Sequence, residues 1–302
     1  MSFSSEAKAE ICLDLPTKKC CCLAVCYGIL LFCNTFSQKE IKIITGNPHF
    51  SGVLPKLFRR AFGFAFDSIT ESTSLRGKRI ITISSRDKLS SIFSAYGYTI
   101  DSLISHHVNL SVLEDDCCKI SFIKGAFLAG GSVTDPEKRY HLELLTDHFS
   151  VSRETYSLLL ELGFTPRETS RKGNYIIYFK QSEVIEDLLT LMGASLSSMK
   201  VMSAKIEKGM TNSVNRQVNC DTANVKKTVE ASRVQIAAIA ELDGAVGLDS
   251  LPEKLAETAR LRIKNPEMSI AELAALHTPP VTKSCLNHRL RKLLEMDEKT
   301  RI

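Results

Sequence analysis

Hydrophobic and polar positions along this chain fall into several registers, and the register changes where glycine and proline stand. From Cys20 to Phe36 the sequence CCCLAVCYGILLFCNTF is almost wholly apolar, the pattern of a helix buried on all sides. A second apolar stretch, GAFLAGGS (125–132), sets Gly125, Ala129 and Gly130 at helical spacing, which lets two such helices approach backbone to backbone. The segment KRYHLELLT (138–146) alternates instead. Arg139, His141 and Glu143 fall on one face and Tyr140, Leu142 and Leu144 on the other, which predicts a strand with one wet side. Helices are predicted over about 53–62, 85–96, 149–162 and 182–192. Gly63, Gly97, Gly163 and Gly193 stand where left-handed caps are wanted.

These elements recur. At an offset of 97, Cys20-Cys21 lies over Cys117-Cys118, Gly28 over Gly125 and Leu31 over Leu128. Gly63-Phe64 answers Gly163-Phe164, and at an offset of 96 GKRIITIS (77–84) answers GNYIIYFK (173–180). Each copy, about 18–98 and 115–195, reads helix, strand pair, helix, strand pair, helix. The first helix of the first copy is bulkier, yet Gly28 and Cys33 stay small. The two apolar helices are therefore expected to form a pseudo-twofold seam, which makes 20–36 buried core and not a membrane span. At about 17 residues, with Asn34 and Thr35 inside and Glu6, Glu10 and Asp14 before it, the stretch is also a poor span or signal segment.

Length and composition fit this division: 302 residues suggest two domains, and 44% hydrophobic with 24% charged residues is ordinary for a globular chain. The net charge of +5 is mild, so any binding of a polyanion must come from where the cations sit. Of ten cysteines, six lie in the first 33 residues, and none forms a CxxC pair. With adjacent doublets and no histidines at finger spacing, no metal and no cofactor is expected. The thiols read as small hydrophobes in a reducing cytoplasm.

The texture changes after residue 200. Residues 201–221 are expected to be a linker, rich in asparagine (Asn212, Asn215, Asn219) and mildly basic at Arg216. A helical domain over 222–302 is expected to follow. It opens with a helix from Thr222 to Leu242 that Asp243-Gly244 ends. A capping box at Ser250–Glu253 opens the next helix, to about Lys264, and another at Ser269–Glu272 opens one to His277. Thr278-Pro279-Pro280 breaks the chain before a last helix, Thr282 to Leu294, which carries Lys283, Arg289, Arg291 and Lys292 and no acid. Two helices joined by a turn are the helix-turn-helix pattern. Leu286, Leu290 and Leu293 would pack on Ile270, Leu273 and Leu276, leaving Lys283, Ser284, Asn287, His288 and Arg291 outward. Asparagine pairs with adenine and lysine reaches guanine, while Arg289 and Lys292 fall where phosphates are reached.

At FLAGGSVTDP (127–136) the chain resembles the LAGLIDADG homing-endonuclease fold. More of it resembles the bacterial WhiA regulators, through GAFLAGGSVTDPEKRYHLE (125–143), MTNSVNRQVNCDTANVKKTV (210–229), VGLDSLPEKL (246–255) and PPVTKSCLNHRLRKL (279–293). The resemblance implies an α+β fold. A degenerate LAGLIDADG-like pseudo-dimer of two αββαββα halves, about 1–200, would precede an all-α helix-turn-helix domain. It implies a cytoplasmic, nucleoid-associated regulator of double-stranded DNA, linked to sporulation in actinobacteria and to cell division and chromosome segregation in other Gram-positive bacteria.

Homing endonucleases place a carboxylate at the foot of each central helix to hold divalent ions. Laying the motif on Leu128 onwards puts Asp135 at the acidic position of the second copy, and offset 97 puts Gln38 in the first. Gln38 is uncharged and Pro136 makes Asp135 a turn residue, so no catalytic residue is expected. Metal-dependent cleavage through Asp135 and Glu40 is the rival reading, and a division-linked protein scaffold is a third. The strand saddle offers Lys39, Lys42, Arg76, Lys78 and Arg79 in one half and Arg139, His141, Arg167, Arg171, Lys172 and Lys180 in the other, for DNA or for a protein partner.

Overall fold

The doubled sequence folds as two copies of one motif. The computed structural model describes residues 2–71, 77–99 and 105–300 and divides the chain into two compact units, Met1–Lys208 and Gly209–Ile302. In the first unit, one copy comprises α2 (Lys19–Leu31), β1 (Thr35–Phe36), β2 (Ile41–Thr45), α3 (Pro48–Phe62), β3 (Ser68–Glu71), β4 (Arg79–Ile83) and α4 (Arg86–Ala95). Its counterpart comprises α5 (Asp116–Gly130), β5 (Gly131–Val133), β6 (Leu142–Thr146), α6 (Phe149–Glu161), β7 (Arg167–Arg171), β8 (Asn174–Phe179) and α7 (Ser182–Leu191). The two antiparallel sheets have matching orders, β1-β2-β4-β3 and β5-β6-β8-β7.

Local chemistry explains where boundaries moved. Helix α3 starts before residue 53 because Asn47 accepts the Phe50 N–H at 3.1 Å and Pro48 takes the first turn. Strand β6 starts only at Leu142, since the Lys138 and Arg139 amides donate to the Asp135 carbonyl in a turn. An additional helix, α1 (Phe3–Leu13), buries Ala7, Ile11 and Cys12 against the core. Its Lys8 ammonium donates to the Leu128 carbonyl at 3.0 Å, near the C-terminal end of α5, where a cation is favoured.

The seam between α2 and α5 holds the halves together. A Cβ on Gly28 would overlap the Phe122 carbonyl, and one on Gly125 would overlap the Val25 carbonyl. Val25 and Phe122 are themselves 97 residues apart, so each glycine meets the equivalent backbone of the other helix, as a twofold axis requires. Around this crossing Ala24, Val25, Ile29, Phe122, Ala126 and Phe127 are fully buried. The apolar stretch from residue 20 is thus core, and among the described residues no helix is long and apolar enough to cross a membrane.

Helix α8 (Ser195–Val246) runs without interruption through 201–221, so the expected linker is helical, and Asp243-Gly244 does not end it. Residues 209–227 are exposed, and their asparagines and threonines are weak helix formers. The segment has no proline and only Gly209. Packing anchors the helix on either side, through Val201 and Ala204 in the first unit and Ala238, Ile239 and Leu242 in the second.

In the second unit α9 (Glu253–Lys264), α10 (Ile270–Ala275) and α11 (Lys283–Thr300) close a small core of Ile239, Leu242, Leu255, Ala259, Leu273, Leu286, Leu290 and Leu293. The capping box at Ser269 and Glu272 forms as expected. The one expected at Ser250 does not: Pro252 is the cap, and the Ser250 hydroxyl donates back to the Gly247 carbonyl at 2.7 Å.

Candidate nucleic-acid interface

Helix α11 is held by its leucines, and its cations follow from that. With Leu286, Leu290 and Leu293 buried, the opposite side shows two adjacent rows at four-residue spacing: Lys283, Asn287 and Arg291, then Ser284, His288 and Lys292. All six side chains are exposed. Thr282 accepts the Cys285 amide at 3.2 Å and caps the helix, so the first-turn N–H groups and Lys283 stand together at the positive end of the helix dipole. Beyond Leu294 the helix continues to Thr300 and turns acidic, with Glu295 and Glu298 exposed.

Two assignments change. Arg289 is not among the outward cations: it is half-buried, one guanidinium nitrogen lacks a hydrogen-bond partner, and it lines a concavity with Glu253, Glu257 and His277. At this point of the helical wheel it borders the leucine side, which confines it. Leu276, expected in the packing face of the preceding helix, is 45% exposed because α10 stops at Ala275. The connection to α11 is accordingly longer than the few residues of a tight helix-turn-helix turn. Val281 donates to the Ala274 carbonyl at 3.1 Å to close it, and His277, 2% exposed, sets Nδ1 3.3 Å from Glu257 on α9.

One buried cation positions the motif without facing outward. Arg262 on α9 is 1% exposed and donates to the Met268 carbonyl at 2.8 Å, with the Ser232 hydroxyl of α8 and the Asn265 carbonyl each at 3.5 Å. Burial lowers its pKa, and carbonyl oxygens take the place of an acidic partner in its hydrogen bonds. It ties the α9–α10 turn to α8. Sequence periodicity could not have found it, since an arginine in a helix that also carries Arg260 and Lys264 reads as surface.

The strand surfaces differ between the halves. In the first sheet Ile41, Ile43, Ile81 and Ile83 face the core, so Thr35, Lys42, Ile44, Ser68, Thr70, Ile80 and Thr82 share the open face. Lys42 is its cation. Arg79 has the parity of Ile81, and its guanidinium donates to the Ser51 hydroxyl of α3 at 3.3 Å, so it is not on that face. Lys39 and Lys78 are exposed in flanking turns, and Arg76 lies outside the described residues.

In the second sheet the open face carries Arg167, Thr169 and Arg171 on β7, Ile176 and Tyr178 on β8, and Ser132, Glu143 and Leu145 on β5 and β6. His141 lies 3.1 Å from Glu143, which also accepts from Ser132 at 3.2 Å, and Lys180 stands 5.2 Å from the Tyr178 ring. Lys172 and Gly173, both at positive φ, form the two-residue β7–β8 turn and lift Lys172 into solvent. Arg139 is exposed in the β5–β6 turn.

The seam helices end without carboxylates. Gly130 is the last residue of α5 and Gly131 opens β5, while at offset 97 the first copy has Cys33, whose thiol donates to the Leu30 and Thr35 carbonyls. Asp135 stands beyond β5, where one of its carboxylate oxygens accepts the Glu137 amide at 3.0 Å. It is a turn residue and not a helix foot. At the opposite end of the seam the fold brings Cys20, Cys21, Cys117 and Cys118 together, with all four Sγ atoms within 4.8 Å. Spacing along the sequence, which argued against a metal-ligand set, does not see a group assembled from two helices.

This architecture defines a class: a LAGLIDADG-like duplicated α+β unit followed by a helix-turn-helix unit. The families described as "WhiA LAGLIDADG-like domain" and "WhiA C-terminal HTH domain" match residues 119–211 and 214–297. A protein of Ruminiclostridium cellulolyticum named "Probable cell division protein WhiA" is 37% identical over 100% of this chain and 98% of its own length. One of the same name from Clostridium botulinum is 36% identical over 97% of this chain and 96% of its own length. The crystal structure of full-length DUF199/WhiA from Thermatoga maritima superposes with a TM-score of 0.62 at 22% identity, covering 99% of each chain. The chain belongs to the WhiA family.

Proposed function

We propose that this protein is a non-catalytic regulator of double-stranded DNA that acts in transcription linked to cell division and chromosome segregation and works at the nucleoid. The observation that carries the reading is α11, whose six exposed polar side chains form two rows on a helix fixed by buried leucines. Asn287, Lys283 and Arg291 carry the donor patterns that read base edges in a major groove, and His288, Ser284 and Lys292 flank them toward phosphates.

The non-catalytic part rests on chemistry at the seam. Cys33 and Gly130 at the helix feet supply no carboxylates to hold the two ions of an endonuclease. The second sheet, with Arg167, Arg171 and Lys172 beside Tyr178, is the natural extension of a DNA footprint. The first, with neutral Thr, Ser and Ile around Lys42, suits a protein partner better than a phosphate chain.

Chromatin immunoprecipitation with sequencing should recover discrete sites, and the purified protein should bind them without cutting. Supercoiled plasmid incubated with the protein and magnesium should stay intact. Cleavage that disappears in Asp135→Ala would overturn the reading.

A further inference from the structure

Four thiols converge at the N-terminal end of the seam. Cys20 and Cys21 lie in the first turn of α2, Cys117 and Cys118 in the first turn of α5, and their Sγ atoms lie within 4.8 Å of one another, with 3.9 Å between Cys20 and Cys21. A zinc ion bound by four thiolates at about 2.3 Å spaces the edges of its sulfur tetrahedron about 3.8 Å apart. We propose that these four cysteines form a structural tetrathiolate site for one zinc-class divalent cation, which clamps the two halves of the duplicated fold together.

Symmetry favours this arrangement. Each half supplies two adjacent cysteines from equivalent positions, and the axis that relates Gly28 to Gly125 relates the two pairs. A tetrahedron is compatible with that axis, since its four corners form two pairs exchanged by a twofold rotation. The ligand set is wholly soft sulfur, which selects zinc or cadmium over magnesium or calcium. Four protein ligands also leave no open position, the mark of a structural and not a catalytic ion.

The surroundings suit the charge. An ion with four thiolates carries two net negative charges, and the N-termini of both seam helices stand at the cluster, where partial positive charge and unpaired N–H groups stabilise anionic sulfur. Cys21 and Cys118 are buried, whereas Cys20 and Cys117 are exposed, so the site has a packed floor and an entry path. Thiolate ligation displaces the thiol protons, so affinity should rise with pH. The helices are about 20 Å long at 1.5 Å per residue, which sets the cluster far from the strand openings and from any nucleic acid there.

The test is metal content of the full-length chain purified anaerobically under reducing conditions with zinc supplied. One zinc per chain is expected by mass spectrometry, and cobalt in its place should give the visible bands of tetrahedral tetrathiolate coordination. The double variant Cys20→Ser and Cys117→Ser changes exposed side chains only. It should lose the ion, while Cys220→Ser, outside the cluster, should keep it. Chelation should lower the melting temperature of the wild type and not of the double variant. Less than a tenth of an equivalent in the wild type, retention by the double variant, or a disulfide across the seam in protein isolated without reductant would each overturn the proposal.

Discussion

The two halves of the first unit agree in their interior and diverge on their open strand faces. Gly28 against the Phe122 carbonyl and Gly125 against the Val25 carbonyl are one contact made twice. On the sheets, by contrast, Lys42 stands among Thr35, Ser68, Thr70 and Thr82 in one half, while Arg167, Arg171 and Tyr178 share a face in the other. A close-packed seam tolerates no added volume, so duplication keeps it symmetric; a solvated face carries no such constraint and is free to diverge.

That contrast is broken most severely at the seam. Gly28→Ala and Gly125→Ala each place a methyl on opposing backbone, and each should cost about 3 kcal/mol or more in denaturant unfolding, with similar values for the two. A large inequality between them would mean that the twofold account of the seam is wrong. The next effect is on binding. Replacing Arg167 and Arg171 by alanine should weaken DNA affinity by about one order of magnitude at low salt and flatten its salt dependence, whereas Lys42→Ala should change little. Equal losses from both faces would remove the functional difference between the sheets.

A smaller asymmetry lies at the last helices of the two halves. In the first, Asp67 accepts the Ser84 and Ser85 amides at 2.7 and 2.8 Å and the Lys88 ammonium at 2.5 Å. In the second, the cap residue Gln181 makes no side-chain capping bond. Burial works against the Asp67 carboxylate, but Lys88 and the two amides overcome it and hold its pKa at about 2. Its stabilisation is therefore complete above the unfolded value near 3.8 and lost as pH falls through about 2. Asp67 is exposed enough that solvent screening limits the effect, so Asp67→Asn should cost only about 1 kcal/mol at neutral pH and progressively less as pH falls through about 2.

Stability also depends on pH through Lys8, whose pKa burial lowers to about 8. The unfolded chain keeps that proton up to about 10.5, so between these values it binds more protons than the native state and stability rises with pH. Lys8→Met should abolish this rise, which chemical denaturation between pH 7 and 10 would detect.

The sequence made most of this legible because repetition carries information that single segments lack. Matched glycines and doublets located both halves and their strand pairs, and leucines at helical spacing located α11. Effects that depend on several elements at once stayed hidden. Arg79 reads as a strand-surface cation until β4 parity and Ser51 turn it toward α3. Arg289 reads as a phosphate contact until α9 and the α10–α11 turn enclose it. Residues 201–221 read as linker because local propensity is weak there, while the helix is anchored by packing on either side. The four thiols were visible as doublets, but only the seam makes them neighbours.

Helix α11 is proposed to read DNA through its two exposed rows. Fluorescence anisotropy on a site recovered from the chromosome, titrated with salt and compared with scrambled duplex, tests it most directly. Wild-type affinity should fall steeply with salt, and an Asn287→Ala, Arg291→Ala double variant should lose about 2 kcal/mol or more of discrimination while its thermal unfolding is unchanged. A stable double variant that distinguishes site from scrambled DNA as well as the wild type does would contradict it.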